Sequence, residues 1–331
     1  MPKLKTLLAT SALTMAGVLA VASAASAQTV LRFWDNQQTE SGLSKFQQEA
    51  VKRFEEENPD IKVEVTTIPY PEYQQRLLTA VQAGNGPDVS TVDQIWNAAF
   101  AEAGAIVAVD DLVASSSISP EDFFPGAWES VTYQGKTWGV PFNVDVWFFA
   151  FVNKALFEEA GIDPASITTW EGLEAAAPAL TDPANGRFAI GLTGNKSEYP
   201  VVMTNSMIYS NGGVVLDENG KCALTSPEAI EALEYYKRMT QYAPSGILNA
   251  ANEQMRELFL NGTLAIELWP ALEQPALDSS NIDWDLYAGF APEGKTPVGT
   301  FGGWNLVVYE SSPNKEAAWK FIEFMTREDV N

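Results

Sequence analysis

The sequence predicts an α/β fold of two lobes, each a mostly parallel sheet flanked by helices, with a ligand cleft between them. Three observations carry this. From residue 30 to 103, short apolar strands alternate with amphipathic helices over short connections, the pattern of a doubly wound sheet. The same pattern restarts near Asn153. Between the two, the stretch 133–157 turns from a hairpin arm at Gln134-Gly135 into an aromatic and β-branched run without a loop long enough to end it, so the chain crosses there from one lobe to the other.

In the first lobe, Val30 to Phe33 reads as a buried strand that spills into a polar loop at Trp34, with Asn36 and Gln37 in it. Leu43, Phe46, Ala50 and Phe54 mark one face of a helix that stops at Asn58-Pro59, because proline cannot continue it. Residues 61–68 alternate as a strand, a second helix follows Pro69-Tyr70-Pro71 and runs to Gly84, and the strand 86–93 ends on Asp93 before a helix around Trp96. Ligands in such sheets sit beyond the carboxyl ends of the strands, which here are Trp34 and its loop, Tyr70 and Asp93. On the crossing strand, Asn143, Asp145 and Trp147 point the same way by the period of two, making it the hinge and the floor of the cleft.

The second half offers a helix at 153–161, another from Trp170, a strand at 188–193 ending in Gly194-Asn195, and a helical stretch at 203–209. Ser226 caps a helix with Pro227 at its first position and Glu228 and Glu231 near the positive end of the dipole. A helix at 253–260 closes at Asn261-Gly262 and feeds the strand 264–268, which ends in Trp269-Pro270. A second crossing is expected at 286–292, then Gly302-Gly303-Trp304, a strand at 305–309 and a last helix through Ala317, Phe321 and Met325.

Composition narrows the function classes. The 331 residues hold 20 Lys+Arg against 43 Asp+Glu, a net charge of −23, which repels nucleic acid and anionic lipid. There is no histidine, which removes the commonest general base and the commonest metal ligand, and no cofactor motif. Cys222 is the only cysteine, so no internal disulfide forms and stability rests on the core. Lys3 and Lys5, the apolar run to Ala24 and Ala25-Ser26-Ala27 read as a cleavable secretory signal spanning 1–27, with no cysteine at the cleavage point to take a lipid anchor. The mature chain is expected to be periplasmic.

Four motifs in order carry a resemblance: Glu72-Tyr73 with Ala83-Gly84-Asn85-Gly86-Pro87-Asp88; Gly139-Val140-Pro141-Phe142 with Asn153-Lys154-Ala155-Leu156-Phe157; Leu258-Phe259-Leu260-Asn261-Gly262; and Gly302-Gly303-Trp304 with Ser312-Pro313-Asn314-Lys315. Together they resemble the extracellular solute-binding proteins of sugar ABC transporters, the maltose-binding type. The resemblance covers nearly the whole chain after the signal. It implies the two-lobed periplasmic-binding-protein fold of type II, a carbohydrate ligand held between the lobes, the membrane permease subunits of an ABC transporter as partners, and no enzymatic activity. The two crossings, rather than the resemblance, set the expected lobe I at 28–142 and 293–331 and lobe II at 143–292. The resemblance also implies that a C-terminal part of lobe II is missing from this chain, because such proteins continue past the helix at 315–326.

A sugar offers hydroxyl edges, which suit Asp, Asn and Gln, and apolar C–H faces, which stack on aromatic rings. The ligand-binding candidates are accordingly Trp34, Asn36, Gln37, Tyr70, Asp93, Asn143, Asp145, Asn195, Trp269, Gly303 and Trp304. Trp269, Trp304, Asp93 and Asp145 also match family positions by the resemblance. Trp96 and Trp147 read as packing. No Arg or Lys stands among the candidates, so the ligand is expected to be a neutral sugar, oligosaccharide or polyol. A monomer that binds no nucleic acid and no metal completes the expectation. The alternatives are a clamp for a polyamine or other cation and, further off, an exported glycoside hydrolase using paired carboxylates.

Overall fold

The computed structural model describes residues 28–36, 43–246, 249–250 and 252–330. The expected signal segment and Gln37 lie outside the described residues.

Eleven strands are described: β1 Thr29–Asp35, β2 Ile61–Thr67, β3 Val89–Asp93, β4 Thr132–Tyr133, β5 Lys136–Thr137, β6 Val140–Val146, β7 Phe149–Asn153, β8 Phe188–Ile190, β9 Leu264–Trp269, β10 Trp284–Ala288 and β11 Phe301–Val308. The first sheet has the order β2-β1-β3-β11-β6 and the second β10-β7-β9-β8, while β4 and β5 form the hairpin expected at Gln134-Gly135. The hairpin needs a left-handed pair there, and both residues have positive φ. β1 runs parallel to β2 and β3. β11 is antiparallel to both its neighbours, and only the β8–β9 pair is parallel in the second sheet. The antiparallel share exceeds the expected mostly parallel sheets because each sheet takes a strand that crosses from the other lobe: β11 enters the first at the end where β3 leaves, and β7 enters the second antiparallel to β10 and β9.

Each sheet is covered on both sides. In the first lobe, Leu31 and Phe33 of β1 pack with Phe54 and Phe321, the Phe33 and Phe54 rings each 5.1 Å from that of Phe321. The opposite face carries Tyr73, Leu77, Trp96 and Phe100. The second lobe gathers a separate core around Phe151, Met203, Tyr235, Phe259 and Ile266. Two cores joined by two crossings are what a clamp requires.

β6 pairs with β11 as far as Val146–Phe301, so the first crossing falls at Trp147-Phe148, later than the boundary expected after residue 142. The second lies between Ala291, bridged to Thr169 of the second lobe, and Phe301. Phe148 takes the left-handed region at φ 94°, a strained conformation for a residue with a Cβ. The two crossings touch: Trp147 N–H donates to Thr300 O at 3.0 Å, and a Cβ on Gly299 would meet Trp147 O at 2.2 Å. Gly299→Ala should therefore lower stability by about 1–3 kcal/mol, since backbone must move to admit the methyl. Gly302, where a Cβ would meet nothing within 4 Å, is the control. Equal melting midpoints for the two alanine variants would show that the crossings are not packed in solution.

Candidate functional site

The site grows from three strand ends. β3 stops at Asp93 because its carboxylate turns back to cap the next turn, Oδ1 accepting from Ile95 N–H at 3.1 Å. That turn, Gln94–Trp96, brings Trp96 beside the end of β3. Tyr70 begins the helix Tyr70–Gln82, started by Pro69 and Pro71, and its ring lies parallel to that of Trp96 at 5.7 Å. In β11, Trp304 pairs with Asp93 on one side and Asn143 on the other. By the period of two, Trp304 would share the face of Leu306 and Val308. The register shift between Trp304 and Asn305 turns it instead onto Tyr70 and Trp96, edge-on at 5.8 Å and 5.9 Å. Gly303 makes this possible: its φ is 138° and a Cβ would lie 2.0 Å from Asn143 O.

The second lobe meets this cluster through Glu198. Tyr70 Oη lies 2.5 Å from Glu198 Oε2 and 3.3 Å from Asp93 Oδ2, so one phenol bridges a carboxyl group of each lobe. Burial, then the nearby Glu198 charge, pushes the Asp93 carboxyl up to about 7. Glu198 opens the helix Glu198–Ser210, whose next residue, Tyr199, is anchored beneath the cleft by donating to the wholly buried Glu267 at 2.6 Å. Burial raises Glu267 to about 8. Asp145 also spans the seam: Oδ2 accepts from Leu272 N–H of the second lobe at 3.1 Å, and burial raises its pKa.

The structure thus brings together Tyr70, Asp93, Asn143, Gly303 and Trp304, with Trp34 packed on the same aromatic cluster. Asn36 sits behind them, 5% exposed and accepting from Thr91 Oγ1 at 3.3 Å. Asn195 stands in the loop leading to Glu198, its Oδ1 held by Ser197 Oγ. Trp269 corrects the expectation. It is 0% exposed, packed between Phe151 and Phe259, with its indole N–H donated to Asn252 Oδ1 at 3.1 Å. The cause is that β9 lies between β7 and β8 and is buried along its whole length, Trp269 included.

Trp96, expected as packing, is buried in the first-lobe core and backs Tyr70 and Trp304, its ring 5.7 Å and 5.9 Å from theirs. One residue at the seam, Glu198, is not among the sequence candidates. The sequence predicts a helical stretch only from residue 203, whereas the helix begins at Glu198. Pro200 hid that start, although proline is tolerated in a first turn whose N–H groups have no partner in the helix. The strand-end rule applied to the loop after Gly194-Asn195 would have found it. Among the described residues, no group of His, Cys, Asp or Glu could hold a metal ion, and no helix is long and apolar enough to cross a membrane.

A two-lobed α/β clamp whose seam carries stacked aromatic rings and acids from both sides is the architecture of a ligand-capturing protein. The sequence profile of the bacterial extracellular solute-binding proteins matches residues 36–331, and the chain belongs to that family. A putative binding protein of Brucella abortus is 29% identical over 325 residues, covering 94% of this chain and 75% of its own length. An ABC transporter solute-binding protein of Thermotoga lettingae, solved with α-D-tagatose, superposes with a TM-score of 0.81 at 30% identity, covering 91% of this chain and 78% of its own. Maltose-bound MalE3 of T. maritima gives 0.80 at 29% identity over 91% of this chain and 78% of its own. The fold is accordingly the two-lobed type II arrangement of these solute-binding proteins, whose family serves ABC transport and is not enzymatic.

Proposed function

We propose that this protein captures a neutral sugar, short oligosaccharide or polyol between its lobes and presents it to the permease of an ABC importer, working in the periplasm as a monomer. The observation that carries the reading is the seam itself: the partly buried Tyr70 and Trp304, backed by the buried Trp96, offer apolar ring surface beside Asp93 from one lobe and Glu198 from the other. Rings stack on the C–H faces of a pyranose, and carboxylates accept from its hydroxyls. Contacts to both lobes at once favour the closed arrangement over the open one. The solved relatives with tagatose and maltose support the same ligand class.

A second reading has its own observation. Asp93 and Glu198 form no ion pair with any described Lys or Arg, which would also suit an amine or polyamine ligand. Thermal shift against sugars, polyols, polyamines and sugar phosphates separates the two, because a ligand that binds only the folded state adds about 2.7 kcal/mol of stability at a hundredfold excess over Kd and so raises the melting midpoint. Silence toward every sugar and polyol with a response to polyamines would overturn the carbohydrate reading. New reducing ends from an oligosaccharide at enzyme-like turnover would overturn the transport reading altogether.

A further inference from the structure

The Tyr70 hydroxyl carries one hydrogen and faces two acids on opposite lobes, Glu198 at 2.5 Å and Asp93 at 3.3 Å. It can donate to only one of them. With both acids ionised, one contact lacks a hydrogen and two negative charges meet across the seam. With a proton on Asp93, Asp93 donates to Tyr70, Tyr70 donates to Glu198, and both contacts are filled. We propose that Tyr70, Asp93 and Glu198 form a proton-dependent latch that draws the empty lobes together. The latch rests on the cleft described above but concerns its regulation rather than its ligand.

The surroundings leave this proton no competitor. The helix Tyr70–Gln82 contributes Tyr70 and the helix Glu198–Ser210 contributes Glu198. The turn Gln94–Trp96 and β11 present Trp96 and Trp304, which do not titrate. Asp35 of β1 accepts from Gln47, Asp145 of β6 accepts from Val146 and Leu272, and the Tyr73 hydroxyl sits between the backbone carbonyls of Trp34 and Thr91 within its own lobe. Lys196, in the loop before the helix of Glu198, is exposed and pairs with neither acid.

The sign follows from where the proton is held. Closed, Asp93 is buried beside Glu198 and its carboxyl sits at about 7. Opening parts it from Glu198 and rehydrates it, returning it toward the ordinary value of about 3.9. The closed form therefore binds the extra proton, and closure gains up to about tenfold for each pH unit that falls between those two values. A ligand hydroxyl that donates to Asp93 replaces this proton, so binding near neutral pH releases it.

The test needs no ligand. Small-angle scattering of the full chain at about pH 5.5 and about pH 8.5 should give a smaller radius of gyration at the lower pH. Asp93→Asn, which is neutral throughout, should give one radius at both. Tyr70→Phe, which removes the bridge, should enlarge the radius at the lower pH. Circular dichroism confirms that each variant is folded, and either variant alone suffices if the other fails to fold. An invariant radius in the unaltered protein, or an unchanged pH response in Asp93→Asn, overturns the latch. If carbohydrates bind but the radius ignores pH, the latch alone fails. If no carbohydrate binds while the radius responds, the ligand reading alone fails.

Discussion

Trp269→Ala is expected to lower the stability of the ligand-free protein by about 3–5 kcal/mol, the usual range for emptying a buried tryptophan site. The side chain is wholly buried between Phe151 and Phe259 in the second lobe. Its removal leaves a cavity that β7 and β9, hydrogen-bonded on both sides, cannot collapse to fill. It also strips Asn252 Oδ1 of its indole donor. Urea or thermal unfolding of the empty protein measures the effect. An unchanged midpoint together with lost ligand affinity would return Trp269 to the cleft wall.

Trp304→Ala should do the reverse, weakening carbohydrate binding by about a hundredfold, near 2.7 kcal/mol, with a much smaller change in the empty protein's melting midpoint. Trp304 is only partly buried and forms one wall of the aromatic cluster with Tyr70 and Trp96, so its loss costs stacking surface rather than core. Trp304→Phe should recover part of the affinity, because a smaller ring still stacks. Titration calorimetry with the carbohydrate giving the largest thermal shift reads both variants. Full affinity in Trp304→Ala would remove this ring from the binding surface.

Which parts of this were legible follows from which forces act locally. The β-α alternation, the helix stop at Pro59, the Ser226 cap and the crossing between residues 133 and 157 depend on short-range pattern, and all are present in the fold. Asp93 at a strand end was legible for the same reason. Trp269 and Trp304 look alike in the sequence, both aromatics at strand ends, and both strands have two neighbours. The difference is that β9 is buried along its whole length, whereas a register shift beside Gly303 turns Trp304 onto the partly buried cluster with Tyr70 and Trp96. Period-two reasoning cannot see a bulge that depends on pairing with a strand far away in the sequence. The role of Glu198 is not legible in the sequence because its contact is with Tyr70, on the other lobe, and no local pattern encodes that meeting.

The place of β11 has a consequence for how the chain assembles. Phe301–Val308 inserts between β3 and β6, which without it have no neighbour in common. A growing chain must therefore wait with the flank of Val89–Asp93 uncovered until more than two hundred further residues have emerged. Closing so distant a pair is costly in loop entropy, and the first lobe should be the last to acquire protection from amide exchange during refolding.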